Sequence, residues 1–256
     1  MESMIFAILQ ARLSSSRLPE KVLKPILGKP MLLHQIERLQ CSEKIDKLVV
    51  ATSDNISDNL IEKVCLDNNI EVFRGDLNNV LDRFYQCAKS YGPDHIVRLT
   101  GDCPLTDWKI IDDMIRYYLD RKLDYMATSL NFPDGLDVEV MTMKALSEAK
   151  FHATLPSELE HVTQYINKKP DKFRIEYFDS KRSLSHYRWT VDEPEDFILV
   201  EKIYQALYED NPQFLMNDIL NLLDEHPELA KINDNFIRNE GLEKSLQEDM
   251  EFLKSV

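Results

Sequence analysis

Positive charge is concentrated in one short segment near the N-terminus of the chain. Arg12, Arg17 and Lys21 lie within it, and the serines at 14–16 stand between the two arginines. The segment directly follows an unbroken apolar run, residues 4–9, which is typical of a strand buried on both faces. Cationic side chains, hydroxyls and backbone N–H groups together suit a bound polyphosphate. The segment lacks the glycines and the final GK[ST] of a P-loop, so it is an anion site of another kind or a solvated basic loop. Its position after a strand favours the anion site.

A pair of aspartates follows two other predicted strands. Asp102 comes after the strand at 95–99, and Asp192 comes at the end of the strand at 187–191. Mg²⁺ binds one or two carboxylates together with phosphate oxygens. The pair therefore predicts a magnesium site near the cationic loop, although Asp102 could instead be the N-cap of a helix. The acids at 195–196 are expected to complement the dipole of the helix that begins there.

Three further polar residues are candidates for binding a sugar. Asp137 and Glu139 share one face of a predicted strand at 136–140, where they could bind hydroxyl groups or simply face solvent. His161 lies in a predicted helix at 155–167, and it is either a site residue or a structural histidine.

The elements that position these residues alternate between strand and helix in the first half of the chain. The predicted strands are residues 4–9, 48–51, 70–73 and 95–99, and the helices begin at Pro30, Ser57-Asp58 and Val80. Such alternation with short connections predicts a parallel, doubly wound α/β sheet. Right-handed crossovers then bring the loops after Leu9, Ala51 and Leu99 to one edge of the sheet, where such folds bind ligands.

The second half of the chain is less regular. Its predicted strands are residues 136–140, 173–178 and 187–191, and its helices are residues 155–167, a helix from Pro194 and a helical tail from about Asn211. We predict one domain over residues 1–256. Within it, an irregular insertion at about 130–185 covers the site or forms a dimer contact, and residues 211–256 form a C-terminal helical extension.

Composition excludes several classes of function. The 256 residues include 31 Lys and Arg against 45 Asp and Glu, for a net charge of −14, which disfavours general binding to nucleic acid. No apolar run reaches the roughly 18 residues of a membrane span, and no secretory signal is visible. None of the four cysteines forms a Cys-x-x-Cys pair, so a zinc ribbon is unsupported. We expect a cytoplasmic protein with reduced thiols.

Several of these motifs resemble one enzyme family, the CMP-sugar synthetases or cytidylyltransferases. The resemblance begins in ILQARLSSSRLPEKVLKP at 8–25 and covers roughly residues 4–207. It continues through GKPML (28–32), ATSD (51–54), FRG (73–75), VLDR (80–83), TGDCP (100–104), PDGLDVE (133–139), EHVT (160–163) and RWTVD (188–192). The family includes 3-deoxy-manno-octulosonate cytidylyltransferase and acylneuraminate cytidylyltransferase. The closer match is the spore-coat polysaccharide, SpsF-like branch. The segment NEGL at 239–242 also resembles the ending of that branch.

The resemblance implies a Rossmann-like, GT-A-like nucleotidyltransferase fold of three layers and a reaction in which CTP and an acidic sugar give CMP-sugar and pyrophosphate. It also implies Mg²⁺ as cofactor, held by Asp102 and Asp192, and a homodimer. Catalytic roles fall to Arg17, Lys21 and Asp102. Nucleotide binding falls to Gln10, Ala11, Arg12, Ser15, Arg17, Lys21, Thr52, Thr100 and Gly101. Substrate binding falls to Asp137, Glu139 and His161, with Arg74 and Arg83 added as carboxylate ligands on charge alone.

Two other activities stay open at this point. A sugar-1-phosphate nucleotidyltransferase that uses another NTP usually has a Gly-rich loop, but this chain has no glycine between Gln10 and Ile26. A glycosyltransferase of the same architecture usually has Asp-x-Asp at a strand end, where this chain has Thr100-Gly101-Asp102.

Overall fold

A central β-sheet organises the protein. The computed structural model describes residues 3–15, 17–236, 238 and 240–255. Its strands are β1 (Ile5–Gln10), β2 (Pro25–Ile26), β3 (Lys29–Pro30), β4 (Lys47–Ser53), β5 (Val72–Gly75), β6 (His95–Thr100), β7 (Tyr125–Thr128), β8 (Glu139–Thr142) and β9 (Ile175–Phe178). In the described residues β2 pairs only with β3, and the seven other strands form one sheet in the order β5-β4-β1-β6-β8-β7-β9.

Helices cover the sheet and follow most of its strands. They are α1 (Met31–Leu39), α2 (Asn59–Asp67), α3 (Val80–Tyr91), α4 (Trp108–Arg121), α5 (Met143–His152), α6 (Pro156–Glu160), α7 (Gln164–Asn167), α8 (Pro194–Leu207), α9 (Met216–Glu225) and α10 (Glu240–Ser255). Short 3-10 helices lie at Lys21–Leu23, Ile56–Asp58 and Leu229–Lys231.

The sheet is mostly parallel, as the alternation of elements predicts. Strands β5, β4, β1 and β6 are mutually parallel neighbours. Beyond β6 the sheet becomes mixed, because β8 is antiparallel to both β6 and β7, whereas β7 and β9 are parallel. The predicted α/β fold class is confirmed.

Two apolar layers on opposite faces of the sheet explain why β1 is an unbroken apolar run. Ala7 and Leu9 pack into one cluster with apolar residues of α1, and Phe6 and Ile8 pack into the other with Phe84 of α3. Side chains alternate across a strand, so a strand covered on both faces needs apolar residues at every position.

The cationic loop after β1 is anchored at the same sheet edge as the end of β4. Buried Asp58 accepts hydrogen bonds from the Leu13 N–H at 2.8 Å and from the Ser53 N–H at 3.1 Å. The sequence predicts that Asp58 caps a helix. Instead, Asn55 caps the 3-10 turn that precedes α2, and the Asp58 carboxylate connects β4 to the loop.

The prediction of a strand at 187–191 is wrong. The N–H groups of Trp189 and Thr190 both donate to the Asp134 carbonyl, at 2.6 and 3.0 Å, and the Val191 N–H donates to the Asp102 carbonyl at 2.8 Å. These hydrogen bonds join the segment to two loops, so its N–H groups do not enter a sheet ladder.

Other predicted boundaries also shift. The helix predicted at 155–167 is two helices, α6 and α7, because Val162 has a φ of 56°, in the left-handed region. Strand β8 begins at Glu139, so Asp137 lies in the preceding loop and does not share a strand face with Glu139. The sequence pattern does not predict α4, β7 or α5.

The C-terminal helices complete the structure. Apolar residues of α8 and α9 join the core on one face of the sheet, whereas α10 packs against α6. Among the described residues, no helix is both long and apolar enough to cross a membrane.

Gly135 is required where the turn after Pro133 meets the 187–191 segment. Its φ is +105°, and a Cβ there would lie 2.4 Å from the Thr190 nitrogen. We expect Gly135→Ala to lower the free energy of unfolding by at least about 2 kcal/mol in urea titrations. Gly28→Ala is the control, because Gly28 has a φ of +80° but open space around it, and we expect it to cost about 1 kcal/mol. Equal losses in both variants would contradict the account.

Candidate active site

Two neighbouring cavities open at the carboxyl ends of β1 and β6. The larger is a cleft of about 1050 Å³, and the smaller, of about 230 Å³, lies under the cationic loop. Residues that line both are Gln10, Arg12, Arg17, Thr100, Asp102 and Asp192. The loops after two parallel strands therefore meet the end of the 187–191 segment around one space.

Lys21 lies between the two predicted metal ligands. Its Nζ donates to Asp192 Oδ1 at 2.7 Å, to the Val191 carbonyl at 2.8 Å and to Asp102 Oδ2 at 3.2 Å. Burial lowers the pKa of Lys21, but the two aspartates more than offset it, so the pKa is raised. Burial alone would raise the pKa of Asp102, but Lys21 and Thr100 hold it at about 2. The Lys21 ammonium and the Asp102 carboxylate are thus both charged at neutral pH.

Arg17 extends the same charge network toward solvent. Its guanidinium lies 3.1 Å from Asp192 Oδ2, 3.1 Å from Glu193 Oε1 and 2.7 Å from Glu240 Oε2 at the start of α10. Arg12 makes a similar half-exposed pair with Glu160 at 3.1 Å. Ion pairs this exposed contribute little to stability, so both guanidiniums can exchange their carboxylates for an anionic ligand.

Arg188 fixes the position of Asp192 from behind. It makes two hydrogen bonds with Asp196, at 2.9 and 3.0 Å, one with Asp134 at 3.0 Å and a longer one with Asp192 at 3.4 Å. Asp196 is fully buried and also accepts the N–H groups of Asp192 and Glu193, both at 2.9 Å. Asp196 therefore holds Arg188 and the backbone of Asp192 in place. The sequence predicts only that it complements the dipole of the helix.

Two other titratable groups in the cleft have shifted pKa values. Burial, aided by Asp137, raises the pKa of Asp134 to about 7, even though Arg238 and Arg188 lower it. Burial also raises the pKa of the Cys103 thiol, with Asp102 adding to the shift, so this thiol is neutral at physiological pH.

Backbone contacts keep the loop after β1 close to the loop after β6. The Gly101 N–H donates to the Gln10 carbonyl at 2.7 Å, and the Ala11 N–H donates to the Ala51 carbonyl at 3.1 Å. A Cβ at Gly101 would lie 3.1 Å from both the Gln10 carbonyl and the Ala11 side chain. A larger residue at 101 would push the two loops apart.

Most of the predicted nucleotide-binding residues meet in the smaller cavity. They are Gln10, Ala11, Arg12, Ser15, Arg17, Lys21, Thr100 and Gly101, together with Asp102 and Asp192. Thr52 is the exception, since it is fully buried in β4 and lines neither cavity. Ser16 and Asn239 lie outside the described residues.

The predicted sugar-binding residues divide into two groups. Asp137, Glu139 and His161 line the larger cleft, whereas Arg74 and Arg83 do not. Arg74 donates to the Ser53 and Asn55 carbonyls, at 3.0 and 2.7 Å, and so braces the end of β4.

Arg83 is fully buried and donates to the Asp76 carbonyl at 2.6 Å. The structure therefore corrects the expectation that Arg74 and Arg83 face the acceptor. Positive charge alone does not tell a ligand-binding arginine from one that satisfies backbone carbonyls.

Sequence reasoning missed Arg98, Asp134 and Arg188, which all line the larger cleft. Asp134 lies in the PDGLDVE motif with Asp137, and Arg188 lies in the RWTVD motif with Asp192. Arg98 precedes Asp102 by four positions in β6, and only the pairing of β6 with β8, which places it opposite Glu139, shows its surroundings.

The donor set suits one hard cation in the presence of a phosphate ligand. Among the described residues, no group of three or more His, Cys, Asp or Glu side chains could hold a metal ion. Mg²⁺ needs only one or two carboxylates when phosphates supply further oxygens. Asp102 and Asp192, joined through the Lys21 ammonium, present such a pair.

Comparison with known proteins gives the chain its family. A family model described as cytidylyltransferase matches residues 6–224. A cytidylyltransferase structure from Leptospira borgpetersenii has a TM-score of 0.85 and 30% identity, and the match covers 90% of this chain and 97% of that one. The fold is that of the α/β nucleotidyltransferases.

Two curated relatives narrow the class further. The spore coat polysaccharide biosynthesis protein SpsF of Bacillus subtilis is 34% identical over 88% of this chain and 96% of its own length. The 3-deoxy-manno-octulosonate cytidylyltransferase 2 of Hydrogenovibrio crunogenus is 29% identical over 72% of this chain and 74% of its own length. The chain belongs to the cytidylyltransferase family and is a CTP-dependent cytidylyltransferase, as its motifs predict.

The low pKa of Asp102 predicts how acid destabilises the protein. Its value of about 2 lies below the ordinary 3.8, so its ionised form stabilises the fold above about pH 4, and this contribution is lost as the pH falls toward 2. We expect Asp102→Asn to make the decline in unfolding free energy between about pH 5 and pH 3 shallower, by about 1 kcal/mol in total.

This comparison uses urea unfolding of the metal-free protein. Asp113→Asn is the control, because its carboxylate is 57% exposed in a surface pair. A slope that is unchanged in Asp102→Asn would contradict the ion pair with Lys21.

Proposed function

We propose that the enzyme transfers CMP from CTP to an acidic sugar of the nonulosonic or octulosonic type and releases pyrophosphate. The observation that carries the proposal is the meeting of the cationic loop with two strand-end aspartates around one cavity. One relative is named for transfer to 3-deoxy-manno-octulosonate, and another for spore coat polysaccharide biosynthesis. These names support a sugar acid as the acceptor and a surface polysaccharide or glycan as the destination.

In this proposal the triphosphate binds in the smaller cavity. Arg12 and Arg17 bind its oxygens in place of Glu160 and Glu240, and the loop N–H groups and the Ser15 hydroxyl add neutral donors. Lys21 is buried and already bonded to three oxygens, so it holds the two aspartates in position and supplies positive charge beside the phosphates.

Asp102 and Asp192 are the proposed ligands of Mg²⁺. When bound, the ion would neutralise phosphate charge and lower the pKa of a hydroxyl bound to it. The protein orients the acceptor so that its anomeric hydroxyl attacks the α-phosphorus. A new C–O–P linkage forms, the hydroxyl proton is released to water, the bond from that phosphorus to the bridging oxygen breaks, and pyrophosphate leaves with the electron pair. Positioning and charge neutralisation account for most of the catalysis in such transfers.

The proposal also covers assembly and location. A homodimer in the cytoplasm is supported by the family resemblance of the sequence. Light scattering of the purified protein measures its mass in solution, where twice 30.0 kDa is expected and a single-chain mass would contradict the dimer.

Pyrophosphate release tests the proposed reaction. CTP, UTP, ATP and GTP are each assayed with Mg²⁺ against 3-deoxy-manno-octulosonate, N-acetylneuraminate and glucose 1-phosphate. We expect pyrophosphate release only when CTP is combined with a sugar acid, and no release after EDTA is added. Release from UTP or GTP with glucose 1-phosphate would instead identify a sugar-1-phosphate nucleotidyltransferase.

Arg17→Ala should weaken CTP binding. Loss of a charge-assisted phosphate contact corresponds to about a tenfold to hundredfold rise in the Kd measured by calorimetry. Arg17→Lys should keep part of the affinity. Arg116→Ala removes a 59% exposed arginine on α4 and should leave the Kd unchanged. CTP affinity unaltered in Arg17→Ala would remove Arg17 from the site.

Asp192→Asn should separate folding from turnover. The amide keeps the shape of the side chain, its oxygen can still accept from Lys21, and Arg188 remains held by Asp134 and Asp196. We therefore expect a folded protein whose melting temperature is lowered only by the loss of one charge beside Lys21. Because a proposed metal ligand is lost, kcat should fall by at least about a hundredfold. Wild-type turnover in this variant would place the second carboxylate elsewhere.

A further inference from the structure

The larger cleft contains a partly buried cation that the proposed nucleotide site does not use. Arg98 lies on β6 in the middle of the sheet, directly opposite Glu139 of β8, and lines the cleft. Its side chain is 16% exposed, whereas those of Arg12 and Arg17 are 38% and 37% exposed. Water therefore reaches Arg98 less readily than it reaches the loop arginines.

The hydrogen bonds around Arg98 hold its guanidinium in one orientation. Its Nη1 donates to Glu139 Oε2, and the other oxygen of Glu139 accepts from the Tyr125 hydroxyl and, at 2.6 Å, from the Thr163 hydroxyl. Glu139 is thus saturated with donors and fixed by β7 and by the residue before α7. Burial lowers the pKa of Arg98, but Glu139 raises it further, so the guanidinium stays charged.

The Nε atom of this guanidinium has no partner in the described structure. Among the described residues, Nε of Arg98 is buried without a hydrogen-bond partner, and Glu139 binds on the Nη1 side. The edge formed by Nε and Nη2 is the one that binds a carboxylate through two parallel hydrogen bonds. An unpaired buried donor is costly, so a ligand that satisfies it gains affinity.

A second buried atom points to the chemistry of the same ligand. Asn167 lines the cleft, and its side-chain amide donates to the Tyr125 hydroxyl at 3.2 Å. Its Oδ1 is buried and accepts no hydrogen bond in the described structure. A sugar hydroxyl can donate to that oxygen. An unmet donor and an unmet acceptor in one cleft fit a molecule that carries both a carboxylate and hydroxyl groups.

Of the other arginines that line the cleft, Arg12 and Arg17 are the proposed triphosphate ligands. Arg188 is already bonded to Asp134, Asp192 and Asp196. Nearby His161 has a pKa lowered mainly by burial and also by Arg98, so its imidazole is neutral and provides no charge for a carboxylate at neutral pH.

We infer that Arg98 binds the carboxylate of the acidic sugar and so determines specificity for acids, with Glu139 as its positioning residue. This inference rests on the proposed function, since it concerns the acceptor of the same reaction. It replaces Arg74 and Arg83, which lie outside the cleft, as the carboxylate ligand.

The test compares acidic and neutral forms of one acceptor. Wild type is first assayed with CTP against 3-deoxy-manno-octulosonate, N-acetylneuraminate and the carboxamide of each. The variants are Arg98→Lys, Arg98→Met and the double variant R98M/E139Q. The double variant avoids leaving Glu139 buried and unpaired, which could unfold Arg98→Met. Arg116→Met is the surface control, and melting temperatures report folding.

We expect R98M/E139Q to raise the KM for the sugar acid about tenfold to a hundredfold. The Kd for CTP should change less than twofold, and the preference for acid over carboxamide should fall by the same factor as the KM rises. Arg98→Lys keeps the charge but loses the planar edge, so it should give an intermediate KM.

Three results would overturn the inference. They are an unchanged KM for the acid, an equal loss for acid and carboxamide, and a loss of CTP affinity that matches the rise in KM. If wild type accepts no sugar acid, the proposed function fails and the inference fails with it. If wild type does turn over a sugar acid but the KM does not depend on Arg98, the proposed function stands and only the inference fails.

Discussion

The site depends on a single buried ammonium group between two carboxylates. Asp102 and Asp192 come from distant parts of the chain, and without a cation their charges would repel each other at close range. Lys21 bonds to both and to the Val191 carbonyl, so a lysine of the first loop fixes the distance between the other two segments. Arg188 and buried Asp196 then hold the Asp192 end rigidly. Chemistry that needs two carboxylates beside a phosphate thus has them in place before the ligand arrives.

The outer part of the same network behaves differently. Arg12 and Arg17 are bonded to Glu160 and to acids that include Glu240, and these pairs are half-exposed. A triphosphate can replace such carboxylates at little cost, whereas replacing the partners of Lys21 would disrupt the site. In the proposed function, this gradient from a rigid interior to an exchangeable rim lets a protein with a net charge of −14 bind an anion. Anion binding depends on the local positive charge at the strand ends and not on the net charge of the chain.

The parts of the structure that could be predicted from sequence are those governed by local pattern and simple topology. The apolar run before Gln10 identified β1, and strand–helix alternation placed the loops containing Arg17 and Asp102 at one edge. Roles that depend on register or on tertiary hydrogen bonds could not be predicted. Arg98 shows its role only once β8 is seen to lie antiparallel beside β6. The 187–191 segment has a strand-like composition, but its N–H groups bond to loops.

The most direct test of the account is a crystal structure with a non-hydrolysable CTP analogue and Mn²⁺, in which anomalous scattering locates the ion. The account predicts the triphosphate in the cavity lined by Arg12, Arg17 and Lys21. It also predicts an anomalous peak within coordination distance of Asp102 and Asp192. A triphosphate bound elsewhere, or an ion that contacts neither aspartate, would contradict it.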